Sequence, residues 1–128
     1  KKLKLETIPY DALRGYFEGF DGRYVKIFGE EEGLRSHLAL SGYLQCGEAI
    51  IMKAACVKWH RELIKDDIPF KIVNFVHEEW QTETTTKEYA AEIARRQINS
   101  LVDVGVDLGL RCPLNGTAKI GTSWLATH

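Results

Sequence analysis

The sequence predicts an α+β fold: a small antiparallel sheet with a catalytic-type hairpin, packed on two long helices. Three stretches predict it. Phe70 to Thr84, FKIVNFVHEEWQTET, reads as an apolar strand, a turn and a second strand. Glu30 to Lys65 carries a helical pattern throughout, and Ala90, Ile93, Ala94, Ile98, Leu101 and Val102 form the apolar stripe of a further long helix. Layering helices on one face of such a sheet is the ordinary way to bury both apolar surfaces.

Taken in order, Lys1 to Thr7 alternates basic and apolar residues as a short strand or a frayed end would. Pro9 suits the first turn of a short helix through Leu13, Tyr16 and Phe17, which share a face at helical spacing and precede Gly19. Asp21-Gly22 is a turn signal, and Tyr24 to Phe28 follows as a short strand. A single helix from Glu30 to Lys65 would be long for a small domain. Ser41-Gly42 is where composition favours a break, giving a helix over about 31–40 and a longer one over about 43–65. The longer piece is expected to bury Leu44, Gly47, Ile51, Ala54, Ala55 and Leu63, with Gln45 in its first turn.

Asp66-Asp67 and Pro69 end that helix. In the next strand Phe70, Ile72 and Val76 face one side and Lys71, Val73 and Phe75 the other, so both faces carry apolar residues, as in a central strand. Thr85 and Glu88 have the spacing of a capping box for the second long helix, which Gly105 or Gly109 stops. A last edge strand is expected near Leu110 to Leu114, beside Pro113.

The 128 residues are 45% hydrophobic, one domain's worth, so 1–128 is expected to be a single domain with a real core. A net charge of −1 excludes a free-standing basic nucleic-acid binder that works by counterion release alone. No apolar run reaches a membrane span and no signal-peptide pattern is present, so no membrane association and a cytoplasmic location are expected. Cys46, Cys56 and Cys112 form no Cys-x-x-Cys pair and suggest neither a disulfide framework nor a zinc knuckle.

His77-Glu78-Glu79-Trp80-Gln81 begins like a zinc-protease helix but has Gln81 where the second histidine belongs. Dinucleotide, phosphate-loop and serine-elbow motifs are absent. What stands out is the adjacent pair Glu78 and Glu79 at the hairpin turn. Two carboxylates that close repel unless a cation neutralises them, and a hard divalent ion is one such cation. A solvated acidic turn is the plainer reading of those residues alone.

Several pieces together resemble the C-terminal palm of family A DNA polymerases, the DNA polymerase I family, and most of all its compact phage replicative members. Asp21-Gly22-Arg23 resembles the Asp-Gly-Arg that follows the fingers. Leu44-Gln45 followed by Gly47 resembles the glutamine-bearing helix, and Val76-His77-Glu78-Glu79 resembles the Val-His-Asp-Glu of the third catalytic motif. Trp124 to His128 resembles the C-terminal Trp and terminal His, and the spacings agree over about Gly19 to His128.

The resemblance implies template-directed addition of deoxynucleotides from deoxynucleoside triphosphates to primer-template DNA, assisted by two Mg2+ ions. Glu78 takes the place of the metal-binding aspartate and Glu79 that of the neighbouring acid, so both are implied as catalytic and metal residues. His77 and Gln45 would follow the primer terminus and minor groove, and Arg23 and His128 would touch DNA or nucleotide. It also implies that 1–20 is a lead-in helix and 21–128 the palm with its hairpin at 70–84, acting in infected host cytoplasm if phage-encoded. The sequence departs from the family at Glu78, where an aspartate is usual, and at Ser41, where many members have asparagine. The first aspartate motif and the fingers helix are missing. The implied enzyme is therefore completed by the remainder of a polymerase or a second chain, and these residues alone are expected to be inactive. The alternative is a non-catalytic binding or scaffold module that keeps the palm fold.

Overall fold

The computed structural model describes residues 10–11, 15–26 and 36–127. The elements run β1 (Tyr10–Asp11), β2 (Tyr16–Glu18), β3 (Tyr24–Lys26), α1 (Ser36–Lys65), β4 (Lys71–Val76), β5 (Glu79–Glu83), α2 (Lys87–Asp107) and α3 (Trp124–Thr127). Among the described residues the fold is α+β, with two antiparallel sheets, β1-β2-β3 and β4-β5, where a single sheet is expected from sequence. The chain divides between Ile50 and Ile51 into two units. The strand expected at Lys1 to Thr7, as well as Pro9, Phe28 and His128, lie outside the described residues.

In the first unit, the helix expected through Tyr16 and Phe17 is instead a strand. Tyr10 pairs with Phe17 and Phe17 with Val25. Gly15 has φ 69, which no right-handed helix accommodates. The aromatic pair then suits a pleated strand, with Phe17 fully buried and the ring of Tyr24 against that of Tyr16 at 4.7 Å. Ser41-Gly42 does not interrupt α1. A glycine costs a helix about 1 kcal/mol, but here Gly42 lies under the Phe17 ring, where an added Cβ would sit 3.5 Å from Cε1. Gly47 is tighter still: a Cβ there would come within 2.7 Å of Phe20. Tertiary packing thus overrides the break signal, and Gln45 falls inside α1, not in a first turn.

In the second unit the core is Trp59, Leu63 and Ile93, with Cys56, Ile68, Phe70 and Trp80 packed against it. Met52, Ala55, Trp59 and Leu63 recur at helical spacing and are all buried. Of the face expected from sequence, Ala55 and Leu63 are buried in this unit and Gly47 in the first, whereas Leu44 and Ala54 are exposed and Ile51 is half-buried. Trp59 sets the true stripe, because the largest apolar side chain gains most from burial.

Both long helices end in the same motif. At the end of α1, Ile68 N–H donates to Leu63 O at 3.0 Å and Asp67 N–H to Ile64 O at 3.2 Å. Asp67, at φ 53, takes the left-handed place that glycine usually fills. At the end of α2, Leu110 N–H donates to Gly105 O at 3.0 Å and Gly109 N–H to Val106 O at 2.9 Å, with Gly109 at φ 64. Gly109 is therefore the stop, and Gly105 is an interior residue against Leu114. Leu114 packs there as part of an irregular segment, so the strand expected at Leu110 to Leu114 does not form. The N-cap of α2 is Thr86, whose hydroxyl accepts from Tyr89 N–H at 3.1 Å, one residue later than the expected capping box.

Arg96 of α2 ties the two helices together. Its Nη1 donates to Glu62 O at 3.1 Å and meets Asp66 at 2.6 Å, while its Nε donates to Glu92 at 2.7 Å. Hydrogen bonds from Arg95 and Arg96 hold the Glu92 carboxyl at a pKa of about 2, below its ordinary 4.5. A pKa depressed on folding contributes stability that is complete above 4.5 and fades as pH falls from there towards about 2. Thermal melts from pH 7 down to pH 2 should therefore show Glu92→Gln less stable than wild type at neutral pH, with the gap closing through that window. A gap that stays constant with pH would contradict this role.

Candidate functional site

β4 and β5 form a hairpin closed by the two residues His77 and Glu78, with Val76 opposite Glu79 as the last pair. The turn thus falls one residue earlier than the Glu78-Glu79 pair suggests, and Glu79 opens β5. His77 has φ 51, in the left-handed region that glycine and asparagine usually supply in such turns. Holding a bulky residue there costs about 1–3 kcal/mol and is a feature of functional sites. His77→Gly should raise thermal stability, by about 1 kcal/mol from relieved backbone strain, while weakening whatever the imidazole contacts. A melt that falls instead would show that His77 is needed for the fold.

The register explains which residues share a face. Val76 pairs with Glu79, Phe75 with Trp80 and Asn74 with Gln81, but the next pair is Ile72 with Thr82, so Val73 is the extra residue of a bulge. The bulge inverts the alternation. Phe75 joins Trp80 on the core side, ring to ring at 6.1 Å, and Trp80 and Phe70 meet Trp59 at 5.8 and 5.6 Å. Among the described residues β4 pairs with β5 alone, so the central position expected for it is not seen there, and its apolar residues on both nominal faces reflect the bulge.

The other side of the hairpin lines a cleft of about 400 Å3 formed by Asn74, Val76, His77, Glu78, Glu79, Gln81 and Trp124. Of the sequence candidates, the cleft brings together His77, Glu78 and Glu79. The ligand atoms of His77 and Glu78 lie within 4.8 Å of each other. Gln81 Nε2 donates to Glu79 Oε1 at 2.7 Å. His77, Glu78 and Glu79 are all exposed, so their side chains face solvent and anything that enters.

Gln45 and Arg23 belong to the first unit. Gln45 is exposed on α1. Arg23 donates from Nε to both oxygens of Asp21, at 2.9 and 2.8 Å, and this hydrogen bonding holds the Asp21 carboxyl below its usual range. Arg23 thus braces the Asp21-Gly22 turn. His128 lies outside the described residues. Sequence reading did not single out Asn74 or Gln81, which line the cleft; the amide of Asn74 inside the apolar run of β4 was the available signal, but placing it on one face with Gln81 requires the bulge.

No protein-family model matches the sequence. Over 127 residues the chain is 29% identical to the DNA-directed DNA polymerase of Escherichia phage Phieco32, a span of 98% of this chain and 20% of that protein. The DNA-directed DNA polymerase of Escherichia phage T7 is 30% identical over 122 residues, 90% of this chain and 16% of that one. The chain is a homologue of phage DNA-directed DNA polymerases. It spans a fifth or less of the length of these polymerase relatives. Among solved structures, the POL domain of Pol1 from M. smegmatis, in complex with DNA primer-template and dNTP, matches with a TM-score of 0.59 at 20% identity, over 70% of this chain and 17% of that one. That likeness shows a polymerase-domain fold. Among the described residues no helix is long and apolar enough to cross a membrane.

Proposed function

We propose that this chain is the palm part of a DNA-directed DNA polymerase and supplies one wall of its active site, the hairpin turn bearing His77, Glu78 and Glu79. The observation that carries this is their convergence on one cleft in a chain whose similarity to phage polymerases runs along nearly its whole length. Extension of a primer-template by deoxynucleoside triphosphates is the activity proposed for the assembled enzyme, in the cytoplasm of an infected cell.

The donor set fits Mg2+. That ion takes one or two carboxylates and completes its octahedron with water and substrate phosphate oxygens, and adjacent, exposed Glu78 and Glu79 offer such oxygens without enclosing it. Bound there, a divalent pair would stabilise the attacking and leaving oxygens of an in-line displacement. Glu78 would be the direct ligand, and Glu79 would add negative charge at the primer end. The imidazole of His77 offers a donor to the primer strand. Gln45 offers one to the minor groove, where acceptors sit alike in every base pair, and Arg23 and His128 are proposed as contacts to DNA or nucleotide. The first aspartate motif and nucleotide-gripping groups come from the rest of the polymerase or a partner chain.

The extra methylene of Glu78 relative to the family's aspartate favours a second reading, a scaffold that keeps the fold without catalysis. The two separate in one assay. The chain is combined with a polypeptide carrying the missing aspartate motif and fingers, and primer extension is followed in Mg2+. Extension that disappears with Glu78→Ala supports the catalytic reading; primer-template binding without extension supports the scaffold.

A further inference from the structure

We propose that Gln81 is a positioning residue for Glu79, holding its carboxylate on the cleft side of the hairpin; this rests on the catalytic reading of that hairpin. Residues two apart on a strand point to the same face. Glu79 and Gln81 both line the cleft, and the 2.7 Å hydrogen bond from Gln81 Nε2 to Glu79 Oε1 joins them. Only the NH2 end of an amide can donate to a carboxylate, so this bond fixes which way round the Gln81 side chain lies. The consequence is visible at its other end: Gln81 Oε1 is buried and has no hydrogen-bond partner.

A desolvated carbonyl oxygen is costly, and the amide keeps it in this place because turning over would set oxygen against oxygen at Glu79. The side chain is held in the orientation that serves the carboxylate. A charge-assisted bond of this kind restricts a flexible glutamate to few rotamers, which keeps its negative charge in one place beside the metal-binding Glu78. The bulge at Val73 belongs to the same device. It lies next to the Asn74–Gln81 pair, and through it Asn74 and Gln81 face the cleft while Phe75 falls on the other side, ring to ring with Trp80. Bulges beside active sites commonly re-aim a side chain in this way.

Two readouts test the inference. In 15N spectra of the chain, the Gln81 side-chain NH2 should show one proton shifted downfield, and Glu79→Ala, which removes the acceptor, should abolish that shift. In the polymerase completed with the missing motifs, Gln81→Leu should slow extension about tenfold through misplacement of the carboxylate and raise the Mg2+ needed for half-maximal rate, with primer-template affinity and melting temperature unchanged. Gln81→Met, of the same length, is the second variant should leucine disturb the strand. In a Glu79→Ala background the Gln81 substitution should change the rate by less than about twofold, since coupled residues are not additive. Equal losses in both backgrounds, or an amide resonance indifferent to Glu79→Ala, would overturn the proposal. Full activity of Gln81→Leu beside an inactive Glu78→Ala would overturn it alone, whereas full activity of Glu78→Ala and Glu79→Ala would overturn the catalytic reading with it.

Discussion

Trp59→Ala lowers the stability of the second unit by about 3–5 kcal/mol, the range for truncating a fully buried large aromatic. Trp59 is 0% exposed and touches the rings of Phe70 and Trp80 edge-on, so it joins α1 to the strand entering the hairpin and to the strand leaving it. Removing it takes away the contacts on both sides and leaves a void that α1, Ile93 of α2 and the hairpin can only partly close. For a domain of this size each kcal/mol is worth roughly 4–8 °C, so the melting temperature should drop by more than about 12 °C on the same scale. Trp59→Phe is a sharper probe. The indole Nε1 is buried without a hydrogen-bond partner, and phenylalanine removes that desolvated N–H while keeping most of the ring. Its cost should be well under half that of alanine. Equal costs for the two substitutions in chemical denaturation would place the core elsewhere.

Glu78→Ala should reduce primer extension by the completed polymerase on the order of 10³-fold, because metal stabilisation of transition-state charge is worth several kcal/mol and each 1.36 kcal/mol is tenfold in rate. Primer-template affinity should change little, since one exposed acidic side chain on a turn contributes nothing attractive to a phosphate backbone. Glu78→Asp is informative in the other direction. It shortens the reach by one methylene, and Mg2+ accepts little error in its ligand positions. If the backbone turn is what places this group, the aspartate variant should retain activity within about tenfold, a loss of no more than about 1.4 kcal/mol. Loss as complete as alanine's would mean that the turn is set for the longer side chain.

The hairpin was legible because an apolar run, a polar turn and a second strand are local features, and so were the two helices with their stripe and cap signals. What sequence could not show depended on partners distant in the chain. Leu13, Tyr16 and Phe17 fit a helical face, but Tyr16 and Phe17 also fit a strand, and pairing with Val25 and Lys26 decided between them. Ser41-Gly42 reads as a break until the Phe17 ring lies over it. The apolar residues of β4 suggested burial on both faces, whereas a single extra residue at Val73 gathers Phe70 and Phe75 to one. For the site, Glu78 and Glu79 were visible as an unusual pair. Gln81 was not, because its value lies in a hydrogen bond two residues along the strand and in the register that faces it to the cleft.

Metal specificity tests ligation by Glu78 most directly, through Glu78→Cys in the completed polymerase, assayed for primer extension in Mg2+ and again in Mn2+ or Cd2+. Thiolate is a soft donor that Mg2+ takes poorly and the later metals accept. If Glu78 ligates the catalytic metal, the variant is inactive in Mg2+ and regains extension in the softer ions, while Glu78→Ala regains none. Equal activity of the two variants in every metal would contradict it.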